Sequence, residues 1–176
     1  FISREKQVIV VTPKDNIQEV LNKAALITPK PTVLFKSGLY RPHEEGQATI
    51  YLNKIHDGLR LMAEAGATLT ALSLETSSSG QTVERPIVNH VVYIGDGVTQ
   101  KTSLSGFKIT GAKQFLTNKN EYLAEPNRDL IRRFIFYADG GGIKIFGNSS
   151  PVLENLEIFD NHAFFCGGGI SIEQMG

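Results

Sequence analysis

Between Lys113 and Asp139 the chain gathers its densest set of side chains able to recognise a ligand: Arg128, Arg132 and Arg133 with Tyr122, Phe134 and Tyr137. Guanidinium groups pair bidentately with carboxylate or sulfate, and aromatic faces pack against sugar rings, so this set suits an anionic, ring-containing polymer. A packing role competes with that reading. Leu130, Ile131, Phe134 and Phe136 are enough to anchor the segment and leave its arginines in solvent. Elsewhere the chemistry thins. His43 with Glu44 and Glu45, and His56 with Asp57, lack a metal-ligand spacing, so no metal site is expected. Neither glycine triplet, 140–142 or 167–169, opens a helix as a phosphate cradle requires. Cys166 is the single cysteine, which excludes an internal disulfide; it reads as an inward-packed or turn residue.

These residues need a scaffold, and composition narrows it. The 176 residues carry 18 basic and 18 acidic side chains, so no global basic field exists to bind nucleic acid by phosphate neutralisation. The longest apolar runs, such as Val8 to Val11, fall far short of the ~18 residues of a membrane span. One helical face is legible: Ile17, Val20, Leu21, Ala24 and Ala25, with Asp15 as expected N-cap, Gln18 in the capping-box position, and Pro29 and Pro31 beyond the end. After Pro31 the texture becomes short β-rich runs punctuated by glycine, without intervening helices, which argues against an alternating βαβ sheet.

Internal repetition then selects among all-β architectures. Gly140-Gly141-Gly142-Ile143-Lys144-Ile145 returns as Gly167-Gly168-Gly169-Ile170-Ser171-Ile172, 27 residues on. Leu104, Phe107 and Ile109 return as Leu153, Leu156 and Ile158. Repetition on this scale marks stacked units, none of which can bury its apolar face alone. Alternate strand residues would then stack as ladders of Ile143 with Ile170 and Ile145 with Ile172.

The segments GFKITGA and GGGIKIFGNSSPVLENLEIFDNHAFFCGGGISI resemble right-handed parallel β-helix proteins of the pectin-lyase-like superfamily, closest to bacterial secreted or surface members. The resemblance is strong over residues 102–173 and looser before, where a helix and then VLFKSGLYRP are similar to the usual opening of such domains. It implies an all-β solenoid over residues 1–176: a capping helix region at 15–28, early coils at 32–112, a long insertion at 113–139, and GGGI-type coils at 140–176. It also implies that Asn155 occupies a tight corner, and that the chain is secreted or held at the cell surface. The C-terminal end, in mid-coil, is expected to be covered by further polypeptide or a second chain.

Function follows from the same resemblance as an expectation. Members of the superfamily hold substrate along the outer side of the first sheet, between loops that follow the third strand. On this chain that implies outward Lys144, with Ser171 and Glu173, and the loop residues Asp160, Asn161 and His162, beside Arg128, Arg132, Arg133 and Tyr137. The expected ligand is an extended acidic polysaccharide, bound and either cleaved or simply held; the alternative is a non-catalytic, adhesin-type β-helix serving binding or assembly. The resemblance requires no cofactor, and brings in Ca²⁺ only for β-elimination, where it neutralises a uronate carboxylate. No catalytic residue is assigned. The superfamily's paired-aspartate, GHG, RIK, WIDH and RxPxxR patterns are absent, and the chain has no tryptophan. Asp160 to His162 also fit a plain hydrogen-bonded turn, and Lys144 a solvated strand position.

Overall fold

The computed structural model describes residues 7–113, 115, 139–163 and 166–173. The protein is predominantly β, with one α-helix among the described residues. In chain order, β1 (Val8–Val11) is followed by α1 (Ile17–Ala24), then β2 (Thr32–Phe35), β3 (Gly38–Tyr40) and β4 (Gly46–Leu52). A 3₁₀ turn (Lys54–His56) leads to β5 (Arg60–Ala63) and β6 (Ala67–Thr70), an antiparallel hairpin of β7 (Leu72–Thr76) and β8 (Thr82–Pro86), and β9 (Val88–Ile94). Then come β10 (Ser103–Ser105), β11 (Lys108–Thr110), β12 (Ile143–Phe146), β13 (Val152–Glu154), β14 (Glu157–Ile158) and β15 (Ile170–Glu173).

Setting the hairpin aside, these strands form three parallel sheets, and the chain visits them in rotation. Sheet A takes β1, β2, β5, β10 and β13; sheet B takes β3, β6, β11 and β14; sheet C takes β4, β9, β12 and β15. Register is what makes this arrangement cohere. Side chains alternate across a strand, so in-register parallel pairing stacks like on like. Val33, Leu61, Leu104 and Leu153 align in sheet A, and Tyr40, Leu69, Ile109 and Ile158 in sheet B. In sheet C, Ile50, Val92, Ile143 and Ile170 form one row, and Leu52, Ile94, Ile145 and Ile172 another. The expected isoleucine ladders are two steps of these rows. Most members are fully buried and belong to one continuous core.

Corners between sheets A and B are two or three residues long and need left-handed backbone. Gly106 supplies it at φ +84°, where an added Cβ would lie 2.9 Å from the carbonyl oxygen of Ala63. Asn155 holds the equivalent corner one layer on at φ +51°, as expected of an asparagine there. Connections from sheet B to sheet C include the three longest between sheets; in chain order they contain residues 41–45, the β7–β8 hairpin, the 113–139 segment and residues 159–169.

The helix differs from its expected start. Asn16, not Asp15, is the N-cap, its side-chain oxygen accepting from the Glu19 backbone N–H at 3.2 Å. Asp15 instead accepts from the backbone N–H and hydroxyl of Thr12, one turn too early to cap. Gln18 does not close a capping box either; its amide donates to the Tyr51 carbonyl at 2.9 Å and accepts from the Tyr51 N–H at 2.7 Å. It thereby pairs with the backbone of β4 at the edge of sheet C, where a further strand would otherwise bond. Ile17, Leu21 and Ala24 of α1 are buried in the core.

The rows predict a sharp asymmetry along one strand. Leu61→Ala, at a fully buried position, is expected to cost about 2–5 kcal/mol, and Met62→Ala, exposed beside it, less than about 1 kcal/mol. Denaturant unfolding of the two variants checks this.

Candidate functional site

Strand alternation that turns aliphatic residues inward turns Tyr51 and Tyr93 outward on sheet C, where they are register partners on β4 and β9. Their rings stack with centroids 5.4 Å apart and planes 30° from parallel. Phe146, at the end of β12, extends the array at 4.5 Å from the Tyr93 ring, and the His90 ring stacks on Tyr93 at 5.2 Å. Gly95 makes room for this. A Cβ there would meet Phe146 Cζ at 1.9 Å, so the phenyl ring occupies the volume any other residue would fill.

These rings form one side of a cleft of about 460 Å³. Gln18, Gln47 and Ala48 also line it, and its charged groups are Glu44, Glu45 and Asp96. Each carboxylate has a local reason for its place. Glu44 and Glu45 stand on the connection from sheet B to sheet C, and Asp96 follows β9 in a left-handed turn at φ +55°. Tyr51 donates its phenolic hydrogen to Asp96 at 3.2 Å. Burial, and then the Asp96 charge, hold the Tyr51 phenol above its ordinary pKa, so it remains a neutral donor. Arg85 of β8 bonds Glu75 at 2.8 Å and reaches Glu45 at 3.4 Å, tying the hairpin to the rim.

The expected site residues lie elsewhere. Lys144 keeps the outward side of β12, as register partner of Tyr93, but is not solvated: it is 0% exposed and ion-paired to Glu173 of β15. The reason is the segment that precedes β12. Gly140 lies so close over the strands that a Cβ on it would sit 3.1 Å from Lys144 Cδ and 2.9 Å from Ser171 Cβ. Asp139, also buried, accepts the Cys166 backbone N–H at 2.8 Å. Cys166 itself is exposed in a bend, so only the turn half of its expectation holds. Asp160 pairs with Lys113 at 3.0 Å, and exposed His162 forms a parallel bridge with Lys113. Between them the Asn161 amide donates to Ile109 and Phe159 carbonyls while its oxygen accepts the Ala112 N–H, a satisfied turn. None of Lys144, Asp160 and His162 lines the cleft. Arg128, Arg132, Arg133 and Tyr137 lie outside the described residues.

Sequence reasoning missed Gln18, Glu44, Glu45, Tyr51, Tyr93, Asp96 and Phe146. A signal existed for the tyrosines: Ile50-Tyr51-Leu52-Asn53 and Val92-Tyr93-Ile94-Gly95 are the same pattern in successive layers. Nothing comparable marks Gln18, which is separated from Tyr51 by 33 positions. Among the described residues no three His, Cys, Asp or Glu side chains gather in a way that could hold a metal ion, and no helix is long and apolar enough to cross a membrane. Comparison of the chain with protein-family models, curated proteins and solved structures finds no match.

Two outcomes test this geometry. Gly95→Ala is expected to cost about 1–3 kcal/mol by displacing the Phe146 ring, and markedly less in a Phe146→Ala background, a coupling read from a double-mutant cycle of unfolding free energies. Asp139 concerns pH. Burial, aided by the Glu173 charge, raises its carboxyl pKa against the pull of the Cys166 N–H and Lys144. An acid with a raised native pKa binds its proton more tightly folded than unfolded, so stability is lost as pH rises above the ordinary aspartate range near about 4. Asp139→Asn is expected to remove that component of the decline in denaturation midpoints measured from acid to neutral pH.

Proposed function

We propose that the protein is a glycan-binding parallel β-helix, right-handed as in the pectin-lyase-like superfamily it resembles, acting at or beyond the cell surface. Three features support the solenoid reading: strands visiting three sheets in rotation, in-register rows of like side chains, and short corners of two or three residues between sheets A and B. The single observation that carries the function is the outward aromatic array of Tyr51, Tyr93 and Phe146 lying along the strand-stacking direction of sheet C, beside a cleft. Tyr51 and Phe146 are partly exposed, while Tyr93, 5% exposed and packed between them, buttresses the array; this leaves the cleft a wall of ring edges beside polar groups, against which the mixed apolar and hydroxyl surface of a sugar unit can pack. Recognition is the part of the reading that the cleft supports. Cleavage by lysis or hydrolysis is an extension, with Ca²⁺ needed only for the former.

The expectation of an acidic ligand drew on Arg128, Arg132 and Arg133, whereas the described cleft is lined by carboxylates. The assembly reading has its own support. Ile170 and Ile172 are 41% and 73% exposed on the last strand of sheet C, while Ile143 and Ile145, one layer back, are buried. Another layer of polypeptide, from the same chain or a second one, would cover them.

The glycan reading is tested by titrating a panel of soluble oligosaccharides and following heat or tyrosine resonances. Tyr51→Ala is expected to weaken binding of the best ligand roughly tenfold or more, the scale of an aromatic hot spot, while Met62→Ala on sheet A leaves it unchanged. Assay of the same mixtures for new unsaturated or reducing ends separates turnover from binding. Loss of no affinity in Tyr51→Ala would sink the reading.

A further inference from the structure

We infer that the cleft on sheet C selects amino sugars carrying a free ammonium group over uronate-bearing chains. The inference rests on the glycan-binding reading and adds the charge of the ligand. Among the described residues, the charged groups lining the cleft are three carboxylates, Glu44, Glu45 and Asp96, and no described Lys or Arg lines it. Glu45 has the fringe of one cation, Arg85, whose nearer partner is Glu75. Asp96 receives the neutral Tyr51 hydroxyl, which leaves its charge intact. Glu44 is exposed, and no described residue is recorded within hydrogen-bond or ion-pair reach of it.

Hydrogen-bonding capacity points the same way. The cleft's own donors are largely spent: the Gln18 amide N–H groups go to the Tyr51 carbonyl and Asn22, and the Tyr51 hydroxyl goes to Asp96. Gln47 Nε2 is the remaining amide donor. Acceptors are in surplus. Gln47 Oε1, in the lining, already accepts from the Asn89 amide at 3.2 Å, which leaves the carboxylates as the cleft's free acceptors among the described residues. Three carboxylates in a cleft whose donors are largely spent call for a ligand rich in donors, and an ammonium brings three N–H groups and the compensating charge. A uronate brings a fourth carboxylate into the same space, where the one described cation at the rim, Arg85, is already held by Glu75 and Glu45. The ring array would take either sugar, so the aromatic platform supplies affinity and the carboxylates supply discrimination.

Calorimetric titration with three tetrasaccharides tests this at mildly acidic pH and low salt: a glucosamine oligomer, its N-acetylated form, and a galacturonate oligomer. The glucosamine oligomer is expected to bind roughly 5–10-fold more tightly than the N-acetylated one, with the galacturonate weakest, and the preference should shrink as salt screens it. Glu44→Gln with Asp96→Asn should bring the ratio of the first two affinities toward one, in protein whose thermal unfolding shows it folded. Equal affinity for all three, or preference for galacturonate, overturns the charge inference and leaves the platform reading standing. Binding of none of them, by a protein that also ignores neutral oligosaccharides, overturns both.

Discussion

Everything in this structure depends on parallel, in-register stacking of like side chains. A parallel strand pair places each residue beside its counterpart one layer on, so a layer is stable only if its inward positions repeat the preceding chemistry. Val33, Leu61, Leu104 and Leu153 meet that demand in sheet A, as do the two rows of sheet C. The buried rows of the three sheets join in one continuous core. The helix α1 contributes Ile17 and Leu21 to that core, and the Gln18 amide pairs with the backbone of β4.

The same constraint builds the cleft. Once alternate residues of β4 and β9 are committed inward, Tyr51 and Tyr93 have to face out, and register brings their rings together. The layer spacing of a parallel sheet, about 4.8 Å, is close to the ring separations seen across these strands, so the array follows from the fold without dedicated packing. Phe146 keeps the alternation, two positions beyond Lys144, and leans over β9 because Gly95 has no side chain. Carboxylates arrive from the connections, where layers differ in length and are free of the repeat. Regular strands thus supply the aromatic side of the cleft, and irregular connections give it charge.

Lys144 illustrates what repetition conceals. Its position in the repeat matches Tyr93 on one side and Ser171 on the other, both outward by alternation, and a lysine there reads as solvated. In the fold, Asp139 and Gly140 cross over β12, and Glu173 on β15 meets the ammonium. A charge is tolerated in that buried place because a carboxylate is paired with it. Asp160 and His162 show the opposite case, charged groups left at the surface, with Asn161 between them satisfying the backbone of the turn.

Local and periodic information was therefore legible. The helix over Ile17 to Ala24, the strand-length runs, the isoleucine ladders and the left-handed corner at Asn155 depend on neighbours in sequence or on a repeat that sequence displays. Even there, the one-residue move of the N-cap from Asp15 to Asn16 turned on whether a carboxylate first met the Thr12 N–H. What tertiary structure alone decided is which outward residues share a surface. Gln18 joins Tyr51, Gly95 yields to Phe146, and Arg85 reaches Glu45 because the connections fold over a column whose geometry no local pattern encodes. Sequence repeats specify the inward face, since burial punishes every departure from it; the outward face is under no such constraint, so its composition becomes a site only when the layers are stacked.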